Sequence, residues 1–255
     1  MVRVRAIRTE VIVLRERDFG EADRLLTMLS PSHGKLRAIA KGVRRPTSRK
    51  AGHLDLYMRS DVLLAKGRNL DIVTQAETLD AYRPVRDDLL RSSYATYIVE
   101  LLDRFTPDLE SNPSLYKLMS EALGWISTSK NLSLTARYYE LSLLSMVGFR
   151  PELQNCVVNG EEINPEDQFF DPVGGGVVCP ACSMGQNGCN KISLSALKIL
   201  RFLQRSSYSA MSDLSLRPLV DAEVEQVLLS YITALLERQL KSTDFIKRVR
   251  RVENG

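Results

Sequence analysis

The chain has 255 residues, 44% hydrophobic and 26% charged, the balance of an ordinary soluble globular protein with room for one to three domains. No apolar run approaches the roughly 18 residues needed to cross a bilayer, and the first residues alternate charge with apolar side chains and carry no apolar signal core, so the expected location is the cytoplasm. The formal net charge is only +4, but residues 1–80 hold 16 Lys and Arg against 10 Asp and Glu, while the other 175 hold 19 against 21. The positive charge is concentrated in the first third, the pattern of a module that meets a polyanion.

The first third reads as β. Val and Ile recur at near-alternate positions over residues 2–14. Leu36, Ala38 and Ala40 alternate with Arg37, Ile39 and Lys41, and short apolar runs follow at 54–64 and 70–73. Turn signals separate them at Ser32-His-Gly34, Lys66-Gly67 and Pro46. Residues 21–29 fit a strand or a helix. About five short strands in about 80 residues suit a small barrel such as an OB-fold.

Within this region, residues 24–54 contain no Asp or Glu but eight basic residues: Arg24, Lys35, Arg37, Lys41, Arg44, Arg45, Arg49 and Lys50. The densest part, KGVRRPTSRK at 41–50, reads as an exposed, mobile loop because Gly42 and Pro46 interrupt any regular element. Such a loop suits phosphate binding with counterion release, and Thr47 and Ser48 add neutral hydrogen-bonding groups. A solvated basic loop without a ligand is the plainer alternative. Aromatic residues are few here. Only Phe19 and Tyr57 lie nearby, and either is also a plausible core residue, so the expected binding grips the backbone rather than reading bases.

From about Pro84 the period becomes helical, with Leu89, Leu90, Tyr94, Tyr97, Ile98, Leu101 and Leu102 at three- and four-residue spacing. Asn112-Pro113 is a helix start, with Asn as cap and Pro at the first helical position. Leu115, Leu118, Met119, Leu123 and Ile126 follow on one face. A third helix covers 134–147, ended by Gly148 and Pro151. Helical signal resumes after a Ser193 cap, and a last helix is expected over 221–240. The basic tail beyond it, Lys247, Arg248, Arg250 and Arg251, reads either as a frayed, solvated helix end or as an added nucleic-acid contact.

All four cysteines, Cys156, Cys179, Cys182 and Cys189, fall in the aperiodic segment between these helices. Cys179-Pro-Ala-Cys182 is a C-x2-C knuckle that lets two thiolates share one tetrahedral metal, so zinc is the leading expectation, with Cys156 and Cys189 as further ligands. Disulfides, a redox pair and four reduced structural cysteines are the alternatives. A site of four thiolates is coordinatively closed, hence structural. Catalytic signals are lacking. His33 and His53 have no nucleophile relay. No Gly-rich loop ends in Lys-Ser/Thr, and Gly174-Gly-Gly176 reads as a turn. The acid pairs Asp87-Asp88 and Glu161-Glu162 are ordinary on solvated surfaces. The expectation is a protein that binds rather than catalyses.

Two runs carry a family resemblance: Arg17-Asp-Phe-Gly-Glu-Ala-Asp-Arg-Leu-Leu-Thr and Gly34-Lys-Leu-Arg-Ala-Ile-Ala-Lys-Gly-Val-Arg-Arg-Pro-Thr-Ser-Arg. Together with Gln75-Ala-Glu, Asp88-Leu-Leu-Arg, Tyr139-Glu-Leu-Ser-Leu-Leu, Gly148-Phe-Arg-Pro and Leu240-Lys-Ser-Thr-Asp-Phe, they resemble the bacterial recombination-mediator family RecO over nearly the whole chain. The resemblance implies an α+β protein, with an OB-fold β-barrel at 1–80 and an all-α helical domain at 81–151 and 193–255. A Cys-rich zinc-binding insertion at 152–192 would interrupt that domain. It implies binding to single- and double-stranded DNA, strand annealing, and loading of RecA onto DNA coated by single-stranded-DNA-binding protein, with RecR as a partner, at the bacterial nucleoid during repair. In zinc-binding members of that family two C-x2-C pairs are usual. Here the first reads Cys156-Val-Val-Asn159-Gly160, and Cys189 is expected to supply the missing ligand. The competing readings are a protein-interaction scaffold with an incidental basic loop, and an RNA-binding OB-fold protein.

Overall fold

The computed structural model describes residues 6–237 and 240–253. The chain divides into two compact units, residues 1–128 with 249–255, and residues 129–248.

The first unit opens with five strands, β1 (Ala6–Phe19), β2 (Asp23–Ser30), β3 (Gly34–Ala40), β4 (Arg59–Ala65) and β5 (Asp71–Asp80). They close into a barrel in the order β1-β2-β3-β5-β4. Neighbours are antiparallel except β3 and β5, which run parallel with Ala38 opposite Asp71 and Ile39 opposite Ile72. β4 returns to β1, placing Leu64 opposite Ile7. This is the five-stranded barrel expected of an OB-fold. Its interior follows from the two-residue period of a strand, which sends alternate side chains inward. Val11, Val13, Leu26, Met28, Leu36, Ala38, Ala40, Val62, Leu64 and Val73 form one buried cluster, joined by Val43 and Leu54 from the connection between β3 and β4.

The expected strands shift in instructive ways. Of the run at 2–14, residues 2–5 lie outside the described residues, and the strand continues to Phe19. The ambiguous segment at 21–29 is a strand, because Leu26 and Met28 point into the barrel. The run from 54 becomes a strand only at Arg59, since Leu54 fills the core and Tyr57 turns the chain at φ 66°. β5 runs past Val73 to Asp80 through polar Thr74, Gln75 and Glu77, where Ala76 packs against the core.

Three helices follow the barrel in this unit: α1 (Arg83–Asp87), α2 (Leu89–Phe105) and α3 (Pro113–Thr128). The single helix expected from Pro84 is divided at Asp88, which is extended and whose carboxylate accepts the Arg91 N–H at 2.8 Å. Asn112 caps α3 as expected, its carboxamide oxygen accepting the Leu115 N–H at 3.1 Å. The change of period near residue 80 marks the end of β5. These three helices pack within the first unit, which reaches residue 128.

In the second unit α4 (Leu132–Met146) precedes a three-stranded antiparallel sheet of β6 (Gln168–Asp171), β7 (Gly176–Val178) and β8 (Asn190–Ile192), ordered β7-β6-β8. A single helical turn, α5 (Pro180–Ser183), joins β7 to β8. Then come α6 (Leu194–Arg205), capped by Ser193, α7 (Tyr208–Met211) and α8 (Pro218–Leu236). Leu141 and Leu144 of α4, Leu197 and Leu200 of α6, and Val224 and Leu228 of α8 are buried.

The helix expected over 221–240 ends at Leu236, with Glu237 left-handed at φ 52°; residues 238 and 239 lie outside the described residues. The basic tail belongs to a separate helix, α9 (Lys241–Glu253). It is not a frayed end, because Ile246 and Val249 are buried. Within the first unit, Arg250 Nε donates to the Tyr94 hydroxyl at 2.9 Å and its guanidinium lies 5.4 Å from that ring's centroid. Among the described residues no helix is long and apolar enough to cross a membrane.

Candidate nucleic-acid interface and metal centre

The basic stretch occupies β2, β3 and the connection to β4, and the fold sorts its eight cations into two groups. Lys35 is buried at the start of β3. Its ammonium donates to Asp103 Oδ1 at 2.8 Å, to the Asp103 carbonyl at 3.2 Å and to the Thr106 carbonyl at 3.0 Å, and it pairs with Asp108 at 3.1 Å. All three donors of an ammonium are thereby occupied. Lys35 ties the barrel to the end of α2 and is not presented to a ligand. Arg24 is drawn into an acidic cluster, at 3.0 Å from Glu16, 3.3 Å from Asp55 and 3.7 Å from Asp18. Burial raises the Glu16 carboxyl above its ordinary value, opposed by the nearby Arg24. Lys50 donates to the Val73 carbonyl at 2.9 Å, and burial lowers its ammonium below the usual lysine value.

The remaining five cations face solvent. Arg37 is exposed and 3.4 Å from Asp108, and Arg44 is 3.2 Å from Asp18. Lys41, Arg45 and Arg49 are exposed and form no ion pair among the described residues. Arg37 stands on β3, and the other four stand on a series of hydrogen-bonded turns. The Arg45 N–H donates to Gly42 O at 3.1 Å, Ser48 to Arg45 at 2.9 Å and His53 to Lys50 at 3.1 Å. The series is pinned to the β1–β2 hairpin, where Gly42 N–H donates to Asp23 Oδ1 at 2.7 Å and Arg44 N–H to Ala22 O at 3.0 Å. Buried Val43 and Leu54 anchor it from inside.

That pinning brings the hairpin tip beside the basic turns. Phe19, at the end of β1, is 49% exposed, whereas Tyr57 is 2% exposed and belongs to the core. Arg17, two residues before Phe19, is exposed and also forms no ion pair among the described residues. Arg17 and Phe19 were not among the expected site residues. Their signal is the short turn Gly20-Glu-Ala22, which sets them at a hairpin end level with the far end of β3, since Arg24 pairs with Ala40. Lys66 and Arg68 in the β4–β5 turn are exposed as well. These two hairpin loops are the ones that OB-folds turn toward oligonucleotides.

The cysteines form a second centre. The thiol sulfurs of Cys156, Cys179 and Cys182 lie within 4.8 Å of one another. Residues 152–157 run beside β7, with Val157 N–H donating to Val177 O at 2.9 Å and Val177 N–H to Glu152 O at 2.9 Å. A Cβ on Gly176 would come within 2.6 Å of Glu152 O, so only glycine permits that approach. It carries Cys156 to the knuckle that β7 and α5 present. Burial pushes the Cys156 thiol up, but N–H groups of Cys179, Asn159 and Val158 outweigh it and hold the thiol near 7. Hydrogen bonding to Cys179 pushes Cys182 up to about 12, as expected when neighbouring thiols share a proton. Three convergent sulfur donors, one of them stabilised as a thiolate, fit a zinc ion. Cys189 stands apart. Its thiol is not part of this cluster and donates instead to Gln186 Oε1 at 3.7 Å, because the turn after α5 carries it away from the knuckle.

Comparison with known proteins bears on both centres. The family model described as Recombination protein O N terminal matches residues 4–82, and Recombination protein O C terminal matches residues 86–244. The chain is 38% identical over 251 residues to the DNA repair protein RecO of Roseiflexus sp. (strain RS-1), covering 98% of this chain and 88% of that one. It is 32% identical over 250 residues to DNA repair protein RecO of a Dehalococcoides mccartyi strain, covering 98% of each. To that of Symbiobacterium thermophilum it is 36% identical over 242 residues, covering 94% of this chain and 96% of the relative.

Proposed function

The chain belongs to the recombination protein O family, and from that premise we propose that it is a non-enzymatic recombination mediator in DNA repair that grips DNA with the turns at 41–50. The observation that carries the reading is the group Lys41, Arg44, Arg45 and Arg49, held on a fixed series of turns beside exposed Phe19 and Arg17 at one end of an OB barrel. Cations at fixed spacing neutralise phosphates and release counterions. An exposed ring beside them gives single-stranded bases a stacking surface. Lys35, Arg24 and Lys50 support this surface from within the fold.

Binding to single- and double-stranded DNA through one phosphate-directed surface is what strand annealing requires, since the surface must hold two strands without reading either. Loading of the recombinase RecA onto gaps coated by single-stranded-DNA-binding protein, with RecR as partner, is the corresponding role in the cytoplasm at the nucleoid. Cys156, Cys179 and Cys182 would hold a structural zinc ion, which would cross-link the segment at 152–157 to the β7–α5 turn.

The test is annealing of complementary strands across a salt series by the wild type and by the Arg44→Ala/Arg45→Ala double variant. The wild type is expected to anneal at low salt and to lose activity steeply with salt, and the variant to lose most of it. A wild type that does not anneal at low salt, or that prefers single-stranded RNA in direct competition, overturns the reading.

A further inference from the structure

The three-thiolate cluster leaves one ligand position of a tetrahedral metal undefined, and the surrounding geometry says where it lies. The cluster is built from two turns of the same kind. In one, the Cys156 carbonyl accepts the Gly160 N–H at 2.8 Å; in the other, the Cys179 carbonyl accepts the Ser183 N–H at 3.0 Å. Each closes four residues after its cysteine. The residue three places on is Cys182 in the second turn and Asn159 in the first, so Asn159 stands at the position equivalent to a ligand.

Asn159 does not offer its side chain to that position. Its Oδ1 accepts the Glu161 N–H at 3.1 Å and its Nδ2 donates to Glu161 Oε2 at 2.8 Å, so both polar atoms are directed at Glu161. Cys189 is engaged elsewhere, on Gln186. On the Asn159 side there is space instead. A cavity of about 360 Å³ is lined by Cys156, Cys179 and Asn159 together with Glu161, Glu162 and Glu166.

We propose, resting on the reading that these cysteines hold zinc, that the site is a three-thiolate centre whose fourth position is open to this cavity and exchangeable, so that the metal cross-links the fold without being coordinatively closed. Three thiolates on a divalent ion leave one negative charge, and three carboxylates line the same cavity. That field disfavours anionic ligands and favours a neutral nitrogen or oxygen donor. The ligand class is therefore water or an imidazole, with azide and other anions disfavoured.

The experiment uses the full chain with cobalt(II) in place of zinc, whose visible bands report the donor set. Imidazole is expected to shift the bands saturably, and azide to leave them unchanged at the same concentration. Asn159→Cys is expected to give a four-thiolate spectrum that imidazole does not move, and Cys189→Ser the wild-type spectrum and response. In the zinc-loaded wild type, one thiol in four is expected to react with an alkylating reagent, and it should map to Cys189. A wild-type spectrum indifferent to imidazole, an equal response to azide, or loss of metal in Cys189→Ser overturns the open position while leaving the metal in place or reassigning its ligands. A wild-type chain that takes up no cobalt fails differently, overturning the metal reading itself and this proposal with it. The wild-type titration decides the matter even if Asn159→Cys does not fold.

Discussion

At the scale of single residues, the barrel shows that a basic side chain's value to a ligand is set by what already surrounds it. Arg45 is exposed and forms no ion pair among the described residues, while Lys35 is buried with carboxylate and carbonyl partners. Arg45→Ala is expected to weaken DNA binding and to reduce the slope of log affinity against log salt by about 0.9, the loss of one phosphate contact. Lys35→Met should leave that slope unchanged but cost roughly 2 kcal/mol of stability, because the Asp103 and Thr106 carbonyls lose their charged donor while the Asp103 carboxylate keeps Arg15 at 2.6 Å. Equilibrium urea unfolding and a salt series separate the two, and an unchanged stability in Lys35→Met would contradict the assignment. Asp18 makes the complementary case. It is paired with Arg44 at 3.2 Å and would compete with a bound phosphate for that side chain. Asp18→Asn is therefore expected to tighten DNA binding several-fold at low salt, with the gain fading as salt screens it, which filter binding across salt concentrations would read.

At the scale of elements, the turns at 41–50 act as one structural piece because the β1–β2 hairpin holds them. Asp23 takes the Gly42 N–H at 2.7 Å. Asp23→Ala removes a negative charge beside the cations, so charge alone predicts tighter DNA binding. If instead the spacing of the cations matters, the variant binds more weakly despite its higher net charge, and weaker binding is the expected result. Phe19 at the hairpin tip separates stacking from charge. Phe19→Ala should cost about 1–3 kcal/mol toward single-stranded DNA and little toward duplex, whose bases are already stacked; equal losses on both would remove the ring from the interface. Short-range signals made many of these elements legible in the sequence. The caps at Asn112 and Ser193 and the alternating core positions of β3 depend on residues a few places apart. What remained hidden depends on distant partners. The acid-free run at 24–54 drew attention to Lys35 and Arg24 equally with Arg45, yet Asp103, Asp18 and Asp55 reach into it from outside the run. The same holds for Cys189, whose spacing fits a ligand but whose thiol is set on Gln186, outside the three-sulfur cluster, by the turn after α5.

At the scale of the whole molecule, the two centres fall in different compact units. The barrel core, from Val11 to Val73, lies in residues 1–128, and Cys156, Cys179 and Cys182 lie in residues 129–248. The sheet beside the cysteines is small, with strands of four, three and three residues. Strands this short hold few backbone hydrogen bonds, and a metal that ties residues 152–157 to β7 and α5 would contribute a large share of that region's stability. The barrel has its own buried cluster and carries the cations. Removing the metal with a chelator is therefore expected to lower the unfolding midpoint of the second unit by about 5–10 °C in calorimetry, the shift produced by losing a few kcal/mol of linked binding. The salt slope of DNA binding, measured below that midpoint, should stay where the intact protein has it if, as proposed, the phosphates meet side chains of the first unit. If chelation instead flattens the salt slope, cations of the second unit contribute to the interface, and the exposed Lys247 and Arg248 of α9, which lie in that unit, become the first to test.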